Sequence, residues 1–119
     1  HKYLDMVYSN LMTISQGLKL NLESRNKHFE TSKFYLKDYE DFFEYGAVAA
    51  TLTNILAVSD APNLMDFLSL DVEGAEMEVL KGLDFNMYNF KYILVEHYNF
   101  EILSDFLKDT GRDPRRHTW

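Results

Sequence analysis

The sequence has no cysteine, only two prolines and only five glycines. Without cysteine the chain can form neither a disulfide nor a thiolate metal site, and we expect a cytoplasmic protein. Positive charge is also scarce, because the formal net charge is −7. Nucleic acids and anionic membranes are bound mainly through basic surfaces, so we expect neither as a partner. No apolar run approaches the roughly 20 residues of a membrane-spanning helix.

Hydrophobic residues are abundant, at 46% of the 119 residues. This length and composition predict one globular domain with a packed core and leave little room for a second domain. Residues 1–46 are poorly defined by their pattern. Residues 47–110 predict a βαβα core, and residues 111–119 form an atypical tail.

The first half of the chain gives weak and conflicting signals. Leucines at positions 18, 20 and 22 alternate with polar residues, which is typical of a strand. Leu36, Tyr39 and Phe43 fit one face of a helix that Gly46 would end. A strand through residues 34–36 is the alternative for this aromatic segment.

The second half has a clearer order of elements. Thr51 can cap a short helix that places Leu52, Ile55 and Leu56 on one face. Residues 67–72 are almost continuously apolar, which is typical of a strand buried on both faces of a parallel sheet.

A βαβ unit with a following helix continues from that strand. A helix is expected from Ala75 to the stop signal at Gly82. Residues 90–95 then form a second strand, and Asn99 can cap a final helix that Gly111 ends. The short crossover predicts that the two strands run parallel.

Two acids occupy the carboxyl ends of the two predicted strands, Asp71 at the first and Glu96 at the second. Parallel sheets bind ligands beyond the carboxyl ends of their strands, and neighbouring strands lie ~4.8 Å apart. Both acids are therefore candidate general bases facing one crevice, and His97 is a candidate proton carrier. The plainer alternative is that Asp71 only caps a turn and that His97 is an ordinary hydrogen-bonded histidine. Glu76 and Glu78 are expected to interact with the helix dipole.

Residues 66–76, Asp-Phe-Leu-Ser-Leu-Asp-Val-Glu-Gly-Ala-Glu, are followed by Val-Leu-Lys-Gly at residues 79–82. Together they resemble the Asp-x-Glu-Gly-x-Glu signature of FkbM-type S-adenosylmethionine-dependent methyltransferases and the helix after it. Residues 90–96 resemble the next strand of that family, and residues 48–56 resemble a helix start of the family. Residues 8–11 match it loosely, and the main resemblance covers residues 47–100.

The resemblance implies an α/β, Rossmann-like methyltransferase fold with its parallel βαβ core at residues 66–110. It also implies methyl transfer from S-adenosylmethionine to a hydroxyl oxygen of a small molecule. In that scheme Asp71 and Glu96 are catalytic. Asp71 and Glu73 bind the cofactor, and Glu96 and His97 bind the substrate.

Departures from the family pattern leave alternatives open. No Gly-x-Gly occurs, and the chain is short for a seven-stranded sheet, so a fragment lacking the cofactor-binding half is expected. Residues 112–119 do not resemble the end of the family's domain. One alternative is a non-catalytic module that forms a homo-oligomer through an open sheet edge. Another is a metal-dependent hydrolase using Asp71, Glu73 and His97. It lacks a second suitably placed histidine, so we expect no metal.

Overall fold

A computed structural model of the chain describes residues 2–8, 13–16, 30–31, 34, 36–97 and 99–115. The strands and helices of these residues form a mixed α/β arrangement, which agrees with the predicted class. In chain order they are β1 (Lys2–Tyr8), β2 (Ile14–Gln16), β3 (Phe43–Ala49), α1 (Leu52–Val58), β4 (Leu64–Leu70), α2 (Glu76–Lys81), β5 (Asn89–Val95) and α3 (Phe100–Asp109).

Two separate ladders connect the described strands. The first sheet is antiparallel, with the order β2-β1-β3, and the second is the parallel pair β4-β5. In the parallel pair Leu64 lies opposite Asn89 and Leu70 lies opposite Val95. The prediction that the two clearest strands run parallel is therefore confirmed, and the two strands are direct neighbours.

The hydrophobic core lies where α2 and α3 pack against the ends of β4 and β5. Its buried members are Leu70, Leu80, Leu103 and Leu107, and Leu80 has no exposed surface. Partly buried apolar residues surround this cluster: Val72, Met77, Val79, Phe85, Val95 and Phe106. The leucines of α3 recur at four-residue spacing, which places them on one face of the helix.

The predicted helix boundaries are largely confirmed. The side chains of Thr51 and Asn99 each accept a hydrogen bond from the amide three residues later, as N-caps do. Gly82 caps the C-terminal end of α2. Gly111 follows the last turn of α3 with a φ of 77°, a left-handed conformation that favours glycine.

The predicted helix over Leu36 to Phe43 is wrong. Residues 36–42 form turns and loops, and β3 runs straight through Gly46. β3 pairs with β1 along its whole length, from Tyr8 opposite Phe43 to Lys2 opposite Ala49. The strand partner lies more than thirty residues earlier, so local periodicity does not reveal it. Phe34 lies in a turn, so the alternative strand is not formed there either.

The expectation that the apolar strand is buried on both faces is also wrong. Phe67 of β4 is 56% exposed, and Tyr92, its neighbour across the ladder, is 71% exposed. Leu70 and Val95 lie on the other face, where they contact the core. The helices thus cover one face of the parallel pair. Ile55 of α1 is 53% exposed.

The beginning of the tail is attached to the core through Arg112. Its guanidinium lies 4.0 Å from the ring centre of Phe85, and Nη2 donates to Oδ1 of Asn89 at 2.8 Å. Burial lowers the pKa of Arg112, because desolvation disfavours its charged form. The leucines at 18, 20 and 22, the segment 9–11 and residues 116–119 lie outside the described residues.

Among the residues that the structure describes, no helix is both long enough and apolar enough to cross a membrane.

Candidate active site at the ends of the parallel strands

Asp71 and Glu96 lie side by side at one edge of the parallel pair. Each directly follows the last residue of its strand, and those last residues, Leu70 and Val95, are register partners. The amide of Glu96 donates to the carbonyl of Leu70 at 3.0 Å, which continues the ladder to the site itself. The two acids occupy equivalent positions beyond neighbouring strands, which is the usual place for ligands in parallel sheets.

Both acidic side chains are exposed and available. Among the described residues, no hydrogen bond or salt bridge engages the carboxylate of Asp71 or Glu96. Other acids of this region are paired, such as Asp105 with Lys108 at 3.3 Å. The strand-end carboxylates can therefore accept a ligand without first losing a protein partner.

The turn after Asp71 has an unusual backbone. Glu73 has a φ of 53° and Gly74 a φ of 96°, so two consecutive residues are left-handed. Glycine adopts this conformation freely, whereas a residue with a Cβ is disfavoured there by about 1 kcal/mol. The amide of Ala75 donates to the carbonyl of Val72 at 3.3 Å and closes the turn into α2.

Glu76 is a site component that the sequence analysis did not assign to the site. It is only 5% exposed, although it is the first residue of α2. Its Oε1 accepts from the amide of Gly74 at 2.9 Å and from that of Val72 at 3.4 Å. An acid two residues after a turn glycine is a visible sequence signal. Its burial depends on the packing of α2, which a sequence pattern does not show.

His97 follows Glu96 at the same strand end. The side chain is half-buried, and its ring centre lies 5.6 Å from that of Phe100 at the start of α3. Its Nδ1 atom is buried and has no hydrogen-bond partner within the described part of the chain. The structure therefore brings the predicted histidine to the same edge as the two acids.

The metal-hydrolase alternative gains no support from this geometry. The described residues contain no group of three or more histidine, aspartate or glutamate side chains placed to hold a metal ion. Asp71, Glu73 and His97 therefore do not converge on one point, as metal ligands must.

The first turn of α1 is tied to the far end of α2. The amide and the hydroxyl of Thr53 both donate to the carbonyl of Gly82, at 3.1 and 2.9 Å. The same hydroxyl accepts from the amide of Asp84 at 2.7 Å. A Cβ on Gly82 would lie 3.4 Å from Cβ of Thr51 and 3.3 Å from the carbonyl oxygen of Val79, so a larger residue would fit there only with a small shift of its neighbours. Two segments of the sequence resemblance, 48–56 and 79–82, thus meet in space.

Comparison with known protein families decides the relationship. The model of the methyltransferase FkbM domain matches residues 6–111. The chain belongs to the methyltransferase FkbM family. A search of curated proteins and a search of solved structures each found no match.

The FkbM match confirms the resemblance that the signature suggested, and it extends beyond residues 47–100 in both directions. All the strand-end residues discussed above lie within the matched range. The chain therefore carries a methyltransferase domain whose signature residues form the end of β4, the following turn and the start of α2.

Proposed function

We propose that the chain takes part in methyl transfer from S-adenosylmethionine to a hydroxyl oxygen of a small molecule, within a Rossmann-like fold. The observation that carries this proposal is the pair of exposed acids, Asp71 and Glu96, beyond adjacent parallel strands. In a chain of the FkbM family, that edge is the natural place for the reacting groups.

The residues at this edge suit the positively charged groups of the proposed cofactor. S-adenosylmethionine carries a sulfonium and an ammonium group, and carboxylates attract such cations. We assign this role to Asp71 and Glu73. When bound, the cofactor would supply an electrophilic methyl group.

The remainder of the cofactor needs contacts that this sequence does not offer. No Gly-x-Gly occurs in it, so a glycine-rich loop of that kind cannot cradle the cofactor. We therefore propose that the chain represents the half of the domain that carries the acidic strand ends. On that basis we expect it to bind S-adenosylmethionine weakly by itself.

Glu96 and His97 are assigned to the acceptor. A hydroxyl loses its proton when its oxygen takes a methyl group, and the nearby carboxylate of Glu96 can accept that proton. The ring nitrogens of His97 can donate or accept a hydrogen bond and so orient the hydroxyl. Correct placement of the two reactants supplies much of the rate of such a reaction.

Incubation with methyl-labelled S-adenosylmethionine and a panel of small hydroxyl compounds tests this activity. We expect slow labelling of at least one acceptor, reduced about a hundredfold or more in Glu96→Gln through loss of the base. Asp105→Asn, which changes an exposed acid of α3, is the matched control and should label at the unsubstituted rate. Labelling that never exceeds the protein-free background, or that is equal in Glu96→Gln, would contradict the proposal.

A second candidate function is a non-catalytic module that forms a homo-oligomer. The observation in its favour is the apolar face of the parallel pair, where Phe67, Tyr92 and Leu94 are 56%, 71% and 46% exposed. In the described part of the chain, β4 and β5 pair only with each other, so each leaves one edge open. Exposed apolar faces and open edges favour association with another chain.

Light scattering at micromolar concentration distinguishes this candidate. A homo-oligomer should appear as a dimer or larger species, and Tyr92→Lys should shift it toward the monomer. A monomer in the unsubstituted chain would count against the module.

A further inference from the structure

Glu76 connects the buried core to the exposed strand-end site. We infer that Glu76 is a positioning residue, which holds the turn at residues 72–74 so that Asp71 and Glu73 are presented beside Glu96. The part of this inference that concerns cofactor binding rests on the proposed function. Its structural part concerns this chain's own turn and can be tested without any ligand.

The buried carboxylate of Glu76 accepts hydrogen bonds from the turn. One oxygen of Glu76 accepts from the amides of Gly74 and Val72, at 2.9 and 3.4 Å. Amides around consecutive left-handed residues form a concavity that suits an anion. A carboxylate in such a place makes charge-assisted hydrogen bonds, which are stronger than those of a neutral acceptor.

The turn that these hydrogen bonds stabilise has a strained backbone. Glu73 and Gly74 have φ values of 53° and 96°, and an extended or helical conformation is the alternative for Glu73. Without the carboxylate, two amides next to the buried start of α2 would lose their acceptor. The backbone after Asp71 would then be free to relax, and Asp71 and Glu73 would shift relative to Glu96.

Glu78, the other acid in the same helical turn, makes different contacts from Glu76. Glu78 is more exposed and forms a salt bridge with Lys81 at 3.1 Å, one turn further along α2. Both acids are placed to interact favourably with the helix dipole. Only Glu76 of the two bonds to the turn, so Glu78→Gln removes one acid of α2 and leaves the turn contacts intact.

Hydrogen exchange of the Gly74 amide tests the structural step without cofactor. We expect Glu76→Gln to speed this exchange about tenfold, because a neutral acceptor replaces a charged one. Glu78→Gln should leave the exchange rate unchanged. Equal exchange in the unsubstituted chain and in Glu76→Gln would overturn the assigned contact.

Calorimetric titration with S-adenosylmethionine tests the functional step. We expect Glu76→Leu to weaken binding at least tenfold, whereas Glu76→Gln, which keeps an acceptor oxygen, should weaken it only a few-fold. Glu78→Gln should bind as the unsubstituted chain does. In an Asp71→Asn background Glu76→Gln should have a smaller effect, because positioning acts through Asp71.

Two outcomes would overturn the positioning role. One is unchanged affinity in a folded Glu76→Leu chain. The other is a loss of affinity in Glu76→Gln that is equally large in the unsubstituted chain and in the Asp71→Asn background. This second comparison also decides the matter if Glu76→Leu does not fold. If the unsubstituted chain binds no cofactor, the proposed function fails, and the exchange rate of Gly74 still decides the role of Glu76 in the turn.

Discussion

Glu73 holds a backbone conformation that its own side chain disfavours. A φ of 53° suits glycine or asparagine far better than glutamate, so the residue is present at a cost to stability. Strained residues of this kind are concentrated at functional sites. This agrees with the proposal that Glu73 contributes to cofactor binding.

Replacing Glu73 by glycine should separate stability from function. We expect Glu73→Gly to raise the free energy of unfolding by about 0.5–1 kcal/mol, because the strain is removed and part of the gain is offset by chain entropy. The same substitution should weaken S-adenosylmethionine binding. Urea denaturation measures the first effect and calorimetry the second.

Asp60 provides the matched control for this substitution. It has nearly the same conformation, with a φ of 54°, but lies in the exposed turn between α1 and β4. Asp60→Gly should also stabilise the chain, and it should leave cofactor binding unchanged. If Glu73→Gly binds the cofactor as well as Asp60→Gly does, Glu73 has no binding role.

The sequence predicted the position of a single residue where the course of the backbone alone determines that position. Asp71 and Glu96 could be placed at strand ends because each lies at the carboxyl end of an apolar run. The buried carboxylate of Glu76 could not be predicted, because an acid in the first turn of a helix is normally solvated. The left-handed conformation of Glu73 could not be predicted either, because nothing in its residue type favours that conformation.

Among the elements, the segment with the most local information was the most predictable. The helix α3 has an N-cap at Asn99, a leucine face and a stop at Gly111, and all three signals agree with the structure. The strand β3 gave no such agreement. Its aromatic residues also fit a helical face, and only the distant pairing with β1 selects the strand.

One hydroxyl makes two of the hydrogen bonds between α1 and the loop after α2. The side chain of Thr53 donates to Gly82 and accepts from Asp84, so it satisfies groups on both sides of that contact. We expect Thr53→Val to lower the free energy of unfolding by about 1–2 kcal/mol, because the shape is kept and the Asp84 amide loses its acceptor. The midpoint of urea denaturation measures the change.

Thr53→Ser keeps the hydroxyl and serves as the control for that substitution. It should lose clearly less stability than Thr53→Val. If the two variants are equally stable, the hydroxyl does not stabilise this contact, and the backbone hydrogen bond from Thr53 to Gly82 and the packing around Gly82 are sufficient.

For the whole molecule, the described structure shows one well-packed region and one exposed apolar face. The leucine core joins β4, α2, β5 and α3, and the FkbM signature residues border that core. The opposite face of the parallel pair exposes aromatic residues. Sequence patterns predicted the core because it is built from neighbouring segments. They did not predict the exposed face, because coverage of a sheet depends on parts distant in the sequence.

The net charge of −7 affects which ligands the whole molecule attracts. It opposes binding to polyanions and favours cationic ligands at the unpaired acids of the strand ends. The central claim is that these acids, and Asp71 above all, form part of a site for S-adenosylmethionine.

Calorimetric titration of S-adenosylmethionine into the unsubstituted chain and into Asp71→Asn and Asp105→Asn tests that claim most directly. We expect weak but measurable binding to the unsubstituted chain and to Asp105→Asn. We expect Asp71→Asn to lose at least tenfold in affinity, because the cofactor loses a charged partner. No binding to the unsubstituted chain, or equal affinity in Asp71→Asn, would contradict it.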